Sequence, residues 1–225
     1  MLKILLCGAL GNMGKAVLSL PEERHEVVCG VDTFFEKRRV PVYTRYESVR
    51  ERVDTIVDFS SPSALPSTLS FAKKRKIGVV VATTGLLGED IRLLRETADK
   101  IPVFYASNLS PAVFLLRKLA KTAQKYMNDA SVYIVEKHRL GKVDTPSGTA
   151  KTLQEDLSLP SGNTLSLRGG SCPGEHEVVF MGKGETLTLT HRAEDRSIFA
   201  RGAISAALFL QGKTNGLFGM EDLFE

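Results

Sequence analysis

One segment of the chain combines groups that could bind an anion and move a proton. Residues 136–150 read E-K-H-R-L-G-K-V-D-T-P-S-G-T-A, which places an imidazole, followed by two cations, before a Ser-Gly-Thr turn. Such a turn at the start of a helix offers hydroxyls and free backbone N–H groups to a carboxylate, and the imidazole can transfer a proton. Alone, the segment would equally suit a charged strand end followed by a capped helix. The candidate residues are His138, Arg139, Lys142, Ser147, Gly148 and Thr149.

A second segment, near the start of the chain, has the pattern of a phosphate-binding turn. Residues 8–14 read G-A-L-G-N-M-G and follow a short apolar run that predicts a buried strand. Glycines allow tight turning and close approach to a pyrophosphate, and the helix that follows presents free N–H donors. The pattern predicts dinucleotide binding by Gly8, Gly11, Asn12, Met13 and Gly14.

An acidic residue follows the second predicted strand at the usual distance from this turn. Asp32 lies about 20 residues further on, where a carboxylate can accept hydrogen bonds from ribose hydroxyls and repel a 2′-phosphate. This favours NADH. The basic run Lys37, Arg38 and Arg39 could neutralise the extra phosphate, so NADPH stays open as the cofactor.

Polar loops follow the fourth and fifth predicted strands. They read A-T-T-G at 82–85 and A-S-N-L-S at 106–110. Because ligands of open parallel sheets bind beyond the carboxyl ends of the strands, these loops are expected to flank the nicotinamide. The residues assigned to the cofactor here are Ala82, Thr83, Thr84, Gly85, Ala106 and Asn108.

The elements that must position these groups follow an α/β pattern. Apolar runs at 2–7, 27–31, 55–59, 79–82 and 103–105 alternate with helical patterns, which is typical of a parallel sheet. We therefore predict a Rossmann-type doubly wound sheet in the first half. Beyond Ser110 and Pro111, which begin a helix, strands at 131–136, 164–167, 177–180 and 185–191 predict a second α+β domain with a mixed or antiparallel sheet.

Composition limits the class of protein. The 225 residues are 43% hydrophobic and 25% charged, which is ordinary for a soluble globular protein. A net charge of +4, with the basic run 73–76 assigned to a solvated helix end, argues against a nucleic-acid partner. Three cysteines without paired spacing predict no metal site and a reducing compartment, and no apolar stretch is long enough for a membrane span. A cytoplasmic location is expected.

Together these motifs resemble the dihydrodipicolinate reductase family. The glycine turn, the T-T-G loop, the N-x-S loop and the segment at 136–150 occur in the family's order, and further family-like stretches extend the similarity over essentially the whole chain. Two segments depart from the pattern. In the first, Arg139 stands where the family usually has a second histidine, and Leu140 and Gly141 replace residues that are often basic. In the second, Ala112 and Phe114 stand where the family usually has glycine and asparagine.

The resemblance implies a fold, a reaction and a set of roles. It implies a dinucleotide-binding domain at 1–108 completed by 196–225, a substrate and oligomerisation domain at 109–195, and a homotetramer. It also implies reduction of 4-hydroxy-tetrahydrodipicolinate (dihydrodipicolinate) to tetrahydrodipicolinate by NADH or NADPH, in lysine and diaminopimelate biosynthesis. By the same resemblance His138 and Lys142 are the catalytic pair, and the turn at 147–149 binds one carboxylate of the dicarboxylate substrate.

Two alternatives stay open at this level. Another NAD(P)-dependent dehydrogenase with a small second domain, such as an aspartate or homoserine dehydrogenase, would share the glycine turn but not the segment at 136–150. A catalytically weak dinucleotide-binding homologue that acts as a sensor or partner is suggested by Arg139 and Phe114. The single histidines His176 and His191, near predicted strands, are interpreted as structural.

Overall fold

A computed structural model of the chain describes residues 1–35 and 39–224. The chain divides into two compact units. The first comprises residues 1–109 and 199–225, and the second comprises residues 110–198. Within the described ranges, no helix is both long enough and apolar enough to cross a bilayer.

The first unit is built on a seven-stranded sheet in which every neighbouring pair of strands is parallel. Its strands are β1 (Leu2–Cys7), β2 (His25–Val31), β3 (Val42–Tyr43), β4 (Thr55–Asp58), β5 (Gly78–Val81), β6 (Pro102–Tyr105) and, after the second unit, β11 (Gly216–Phe218). The spatial order is β11-β6-β5-β4-β1-β2-β3. The chain therefore changes direction of travel across the sheet at β1, where open α/β sheets bind their ligands.

Helices connect these strands. They are α1 (Asn12–Leu18), α2 (Leu65–Arg75), α3 (Gly88–Ala98), α6 (Ser197–Phe209), most of which belongs to this unit, and α7 (Met220–Phe224). One apolar core packs strands of this sheet against helices. It includes the fully buried strand residues Ile56, Val79 and Val103 and the fully buried helix residues Leu69 and Leu94. The near-continuous apolar strands that the sequence showed are what a sheet covered on both faces requires. The predicted Rossmann-type class is confirmed.

The second unit is a four-stranded sheet with helices on one face. Its elements are α4 (Pro111–Tyr126), β7 (Ser131–His138), α5 (Gly148–Asp156), β8 (Thr164–Arg168), β9 (Glu175–Met181) and β10 (Thr186–Arg192). The strand order is β10-β9-β7-β8, with β7 parallel to β8 and antiparallel to β9. The sheet is mixed, as expected, because β8 returns to β7 through helix α5 while β9 and β10 form a hairpin.

Strand β7 contributes to the apolar core with its first half and to the candidate site with its second half. Alternate residues of a strand face opposite sides. Val132 and Ile134 lie in the core under α4 and α5, and the next two residues on the same face are Glu136 and His138. The apolar half of this face therefore anchors the strand, and the polar half ends at the candidate site.

The sequence missed some elements and misjudged one cap. The short strands β3 and β11 and the terminal helix α7 were not predicted, because two or three residues carry no readable periodicity. The same Ser-Pro pattern that begins a helix at Ser110 and Pro111 also predicts a cap by Ser61 before Pro62. The Ser61 side chain makes no capping bond, however, and residues Pro62–Ala64 form a 3₁₀ turn before α2. Ser110 does cap α4, accepting a hydrogen bond from the backbone N of Val113 at 3.3 Å.

Candidate active site

The glycine turn follows β1 directly and leads into α1. Gly8 has a φ of +73°, and a Cβ there would lie 2.6 Å from the carbonyl oxygen of Phe59. Gly14 is buried, and a Cβ there would collide with the backbone of Gly8 and Ala9. Only glycine satisfies both positions, so the turn stays tight and its backbone stays uncovered by side chains.

A cavity of about 1250 Å³ opens beside this turn, within the first unit. Its lining includes Gly8 and Gly11 after β1, Asp32 and Phe34 after β2, and Ser60 after β4. These are the carboxyl ends of β1 and of the two strands that flank it. The volume suits a dinucleotide or a large part of one.

The cavity also has a cationic side. Four basic residues line it: Arg45, Arg50, Lys74 and Arg75. The run 73–76 lies at the end of helix α2, as the sequence predicts, and two of its members, Lys74 and Arg75, also line this cavity. Lys37 and Arg38, proposed from the sequence to meet a 2′-phosphate, lie outside the described residues, and Arg39 donates a hydrogen bond to Glu22 at 2.7 Å.

Asp58 joins the loops that follow β4 and β5. Its fully buried carboxylate accepts hydrogen bonds from the backbone and hydroxyl of Ser60, at 2.8 and 2.5 Å, and from the hydroxyl of Thr83 at 3.3 Å. Burial raises the pKa of Asp58, although the bonds from Ser60 oppose that shift. The T-T-G loop is therefore tied to the neighbouring strand through Thr83.

The remaining residues predicted to bind the cofactor lie beyond the carboxyl ends of β5 and β6 or at the start of α1. Thr84 and Gly85 are exposed, Ala82 and Ala106 are buried, and Asn108 is half-buried, all beyond the carboxyl ends of β5 and β6. Asn12 and Met13 begin α1. The cavity beside the glycine turn brings together Gly8, Gly11 and Asp32 among the residues predicted to bind the cofactor.

The second unit holds the proton-transfer candidates at the end of β7. His138 is buried, with its Nδ1 hydrogen-bonded to the carboxylate of Glu136. Arg168, the β8 residue paired with His138, grips the same carboxylate with both terminal nitrogens, at 2.9 and 2.7 Å. Two-point pairing of this kind is the strong form of a carboxylate–guanidinium contact.

The Ser-Gly-Thr turn is held against this cluster. The backbone N of Ser147 donates to Glu136 at 3.2 Å, and its hydroxyl accepts from the backbone N of Ala150 at 3.2 Å, which caps α5. The same hydroxyl lies 2.9 Å from Nε2 of His176. Gly148 and Thr149 form the first turn of α5, with Thr149 buried and Gly148 half-buried.

The two predicted cations lie beyond the strand end. Lys142 is half-buried and forms a 2.7 Å ion pair with Asp144. Arg139 is exposed, and the chain turns directly after it, because the backbone N of Lys142 donates to the carbonyl of Arg139 at 3.1 Å. Gly141 lies within this turn, and the Arg139 guanidinium lies next to it, where a Cβ would be 2.8 Å from Nη1.

The charges in this cluster are set by burial and pairing. Burial acts to raise the pKa of Glu136, but its bonds from Arg168 and His138 outweigh burial and lower the pKa to about 2. Burial lowers the pKa of His138 despite the neighbouring Glu136. Burial, with the nearby His138, lowers the pKa of His176 to about 3. At neutral pH the cluster is thus a carboxylate, a guanidinium and two neutral imidazoles.

Sequence reasoning did not assign Glu136, Arg168 or His176 to the site. Strand register brings them together, because β7 pairs His138 with Arg168 on one side and Glu136 with His176 on the other. The His138 and His176 rings meet edge to face, 5.2 Å apart. The two-residue spacing of Glu136 and His138 was the one available signal that both side chains share a face.

The chain combines a doubly wound sheet, a glycine turn with its cavity, and a separate sheet that carries a buried histidine–carboxylate cluster. These features define a two-domain, Rossmann-type reductase. Family models agree over nearly the whole length: dihydrodipicolinate reductase, N-terminus, matches residues 2–109, and dihydrodipicolinate reductase, C-terminus, matches residues 112–224. The chain belongs to the dihydrodipicolinate reductase family, which confirms the resemblance found in the sequence.

Curated relatives give the same result. The 4-hydroxy-tetrahydrodipicolinate reductase of Caldanaerobacter subterraneus subsp. tengcongensis is 37% identical, and the alignment covers 99% of this chain and 98% of that protein. The enzyme of the same name from Rickettsia rickettsii is 34% identical, with both chains fully covered.

Solved structures share the fold. Dipicolinate-bound dihydrodipicolinate reductase from Paenisporosarcina sp. TG-14 matches with a TM-score of 0.79 at 22% identity, and both chains are fully covered. Aspartate dehydrogenase from Thermotoga maritima matches less well, with a TM-score of 0.59 at 15% identity over 95% of this chain and 98% of that one. The second match shows a common fold and does not support the aspartate dehydrogenase alternative.

Proposed function

We propose that this chain reduces 4-hydroxy-tetrahydrodipicolinate to tetrahydrodipicolinate with NADH or NADPH, in lysine and diaminopimelate biosynthesis. The observation that carries the proposal is the cluster of His138, Ser147 and Lys142 on one sheet end, in a chain of this family. The net reaction consumes one hydride and one proton and releases water. Residues 1–108 with 196–225 form the cofactor domain in this proposal, and residues 109–195 form the substrate domain.

The carboxylate-binding part of the site is assigned to the turn that begins α5. Ser147, Gly148 and Thr149 supply hydroxyl and backbone donors to one carboxylate, and Arg139 reaches the other by swinging from its exposed position. A guanidinium can grip a carboxylate at two points and stays charged at every working pH. The proposal therefore gives Arg139 the role that a second histidine has in the family pattern.

His138 and Lys142 are assigned to the proton and to charge stabilisation. His138 is neutral near pH 7 because burial lowers its pKa. A bound dianion adds negative charge beside the imidazole, which favours its protonated form. His138 then holds a proton when the substrate is present and can release it as the ring is reduced. Lys142 stabilises the negative charge that develops on the ring at that moment.

The cofactor is assigned to the cavity of the first unit. The residues present suit a dinucleotide: Gly8 and Gly14 leave the turn open to a pyrophosphate, Asp32 lines the same cavity and would bind a ribose, and basic side chains line the cavity as well. The reduced nicotinamide supplies the hydride when bound. We propose a preference for NADH from Asp32, with NADPH accepted through the basic residues of the cavity.

The open face of the second sheet is assigned to contacts between subunits of a homotetramer. Tyr133, Leu165, Leu167 and Met181 are exposed on the strands. Register places Leu165 opposite Val135, on the face away from α4 and α5. Lys137, paired with Glu175 and Glu177 at 2.6 Å, lies on that face too. A face with this apolar content is typical of surfaces covered by a partner.

A coupled assay tests the reaction. The synthase that makes the substrate is mixed with this protein, and oxidation of NADH and of NADPH is followed in parallel reactions. We expect oxidation that depends on the synthase, faster with NADH. Absence of oxidation with both cofactors would reject the proposed function.

Sedimentation of wild-type protein and of Leu167→Asp tests the tetramer, since a charge on the open face should dissociate it.

A further inference from the structure

Glu136 is a buried carboxylate that the proposed roles of His138 and Lys142 leave unused. Glu136 is completely buried, with 0% of its surface exposed to solvent. Oε1 accepts from Arg168 Nη2 and from the backbone N of Ser147, while Oε2 accepts from Arg168 Nη1 and faces Nδ1 of His138. One carboxylate thus connects the ends of β7 and β8 with the start of α5.

The hydrogen bonds of Glu136 determine whether the hydrogen between Oε2 and Nδ1 belongs to the carboxyl group or to His138. Glu136 is ionised, since Arg168 and its other donors hold the pKa of that carboxyl at about 2. An ionised carboxylate only accepts hydrogen bonds. The contact between Oε2 and Nδ1 therefore requires a hydrogen on Nδ1. In neutral His138 the other ring nitrogen, Nε2, then carries the lone pair.

Nε2 of His138 lies next to a glycine. Gly174 passes next to it, and a Cβ at that position would lie 2.9 Å from Nε2. Any side chain at residue 174 would crowd this nitrogen. Glycine keeps the space beside Nε2 open.

We propose that Glu136 is a positioning residue: it keeps the proton of neutral His138 on Nδ1, so that His138 exchanges protons with the substrate only through Nε2. Arg168 supports this role by holding the carboxylate at two points. The inference rests on the proposed function for its kinetic consequence, but the state of His138 is a property of the ligand-free protein.

The charged and titratable groups that face His138 come from four elements or loops. They are Glu136 on its own strand, Arg168 on β8, His176 on β9 and Lys142 after the turn. Arg168 and Lys142 disfavour a protonated His138, and Glu136 favours it. Removal of the Glu136 charge alone should therefore lower the pKa of His138 further.

Nitrogen NMR of the ligand-free protein, with ¹⁵N-labelled histidine, tests the inference without turnover. At pH 8 we expect neutral His138 with hydrogen on Nδ1. In Glu136→Gln the amide oxygen is retained by Arg168 and the NH₂ group faces Nδ1 as a donor, so the hydrogen should move to Nε2. A wild-type spectrum with hydrogen on Nε2 overturns the proposal, whether or not the variant folds.

Kinetics of the same variants separate positioning from a merely structural role. Glu136→Gln should lower kcat on the order of 100-fold or more, since the imidazole presents the wrong nitrogen. Because His138 reacts as the proton donor, activity falls as His138 loses its proton, and this basic limb of the kcat/KM profile should also move to lower pH. A structural role would reduce the amount of folded protein without moving that limb. Arg168→Lys, which keeps a cation beside Glu136, should retain the Nδ1 hydrogen and lose less activity.

Asp156→Asn is the matched control. Asp156 is the last residue of α5, at the end far from Ser147, and its carboxylate accepts hydrogen bonds from Arg117 at 2.5 and 3.1 Å. Its loss should leave the His138 spectrum and the pH profile unchanged. If wild-type protein oxidises neither cofactor, the proposed function fails while the NMR result still decides the state of His138. If wild-type protein is active and Glu136→Gln keeps its kcat, the positioning role is wrong.

Discussion

Oδ2 of Asp32 accepts a hydrogen bond of 2.8 Å from the backbone N of Leu10, in the middle of the glycine turn. Oδ1 accepts one of 2.7 Å from the backbone N of Thr33. The carboxylate at the end of β2 therefore holds the turn that follows β1. A residue predicted to discriminate between the cofactors thus also holds the turn that is predicted to bind their phosphates.

Asp32→Asn should change cofactor preference without loosening the turn. The asparagine oxygen can still accept from Leu10, but the negative charge that repels a 2′-phosphate is gone. We expect the ratio of NADPH to NADH affinity to rise by roughly 10-fold, the scale of one charge-assisted contact. Calorimetric titration with both cofactors measures it, and Asp54→Asn, on the other end of the sheet, is the control. An unchanged ratio would show that Asp32 does not meet the ribose.

Lys142→Ala should lower kcat far more than cofactor affinity. A group that stabilises charge only as the hydride arrives lowers the barrier without tightening the ground state. The expected loss is about 100-fold or more. Steady-state kinetics of Lys142→Ala are compared with those of Lys151→Ala, an exposed lysine on α5. Near-normal turnover in Lys142→Ala would remove this lysine from the mechanism.

Arg139→Ala should raise the KM for the dicarboxylate by roughly 10-fold, because a charge-assisted pair with the substrate is lost. Arg139→His should change KM modestly and add a dependence of KM on pH near ~6.5, where the new imidazole titrates. Substrate saturation curves between pH 5.5 and 8 measure both effects. If KM is the same in Arg139→Ala and wild type, the arginine keeps its exposed position during catalysis.

His176 should make the protein less stable in mild acid. Its pKa in the folded state is about 3, against 6.5 when unperturbed, because burial disfavours the charged ring. The unfolded chain therefore binds the proton first, so the free energy of unfolding is retained above pH ~6.5 and falls as the pH drops toward 3. This one titration should lower the free energy of unfolding by about 2 kcal/mol between pH 6.5 and pH 5.

Urea unfolding at pH 7 and pH 5 measures this effect. His176→Gln, whose amide can still form a hydrogen bond with the Ser147 hydroxyl, should lose about 2 kcal/mol less than wild type over this interval. His138, His191 and His25 also have pKa values lowered by burial, and they contribute equally to both proteins. Equal losses in wild type and variant would mean that His176 is charged or solvated in the folded state.

Much of the fold could be predicted because its signals are local. Five strands of the first sheet were located to within two residues, since buried parallel strands are continuous apolar runs. The cap of α4 by Ser110 and that of α5 by Ser147 follow from residue type next to Pro111 and Gly148. Two- and three-residue strands such as Val42–Tyr43 carry no such signal, because only pairing with a neighbour defines them.

The sequence by itself determined the chemical groups: the glycine turn, Asp32, His138, Lys142 and the turn that starts with Ser147. Only the tertiary structure decided which groups meet. Arg168 and His176 lie 30 and 38 residues beyond His138 in the chain, and they reach its cluster through the register of β8 and β9 with β7. Register depends on how whole strands pack over the apolar core, and a shift by one residue would turn Glu136 and His138 to the opposite face. A list of residue types contains no information on that shift.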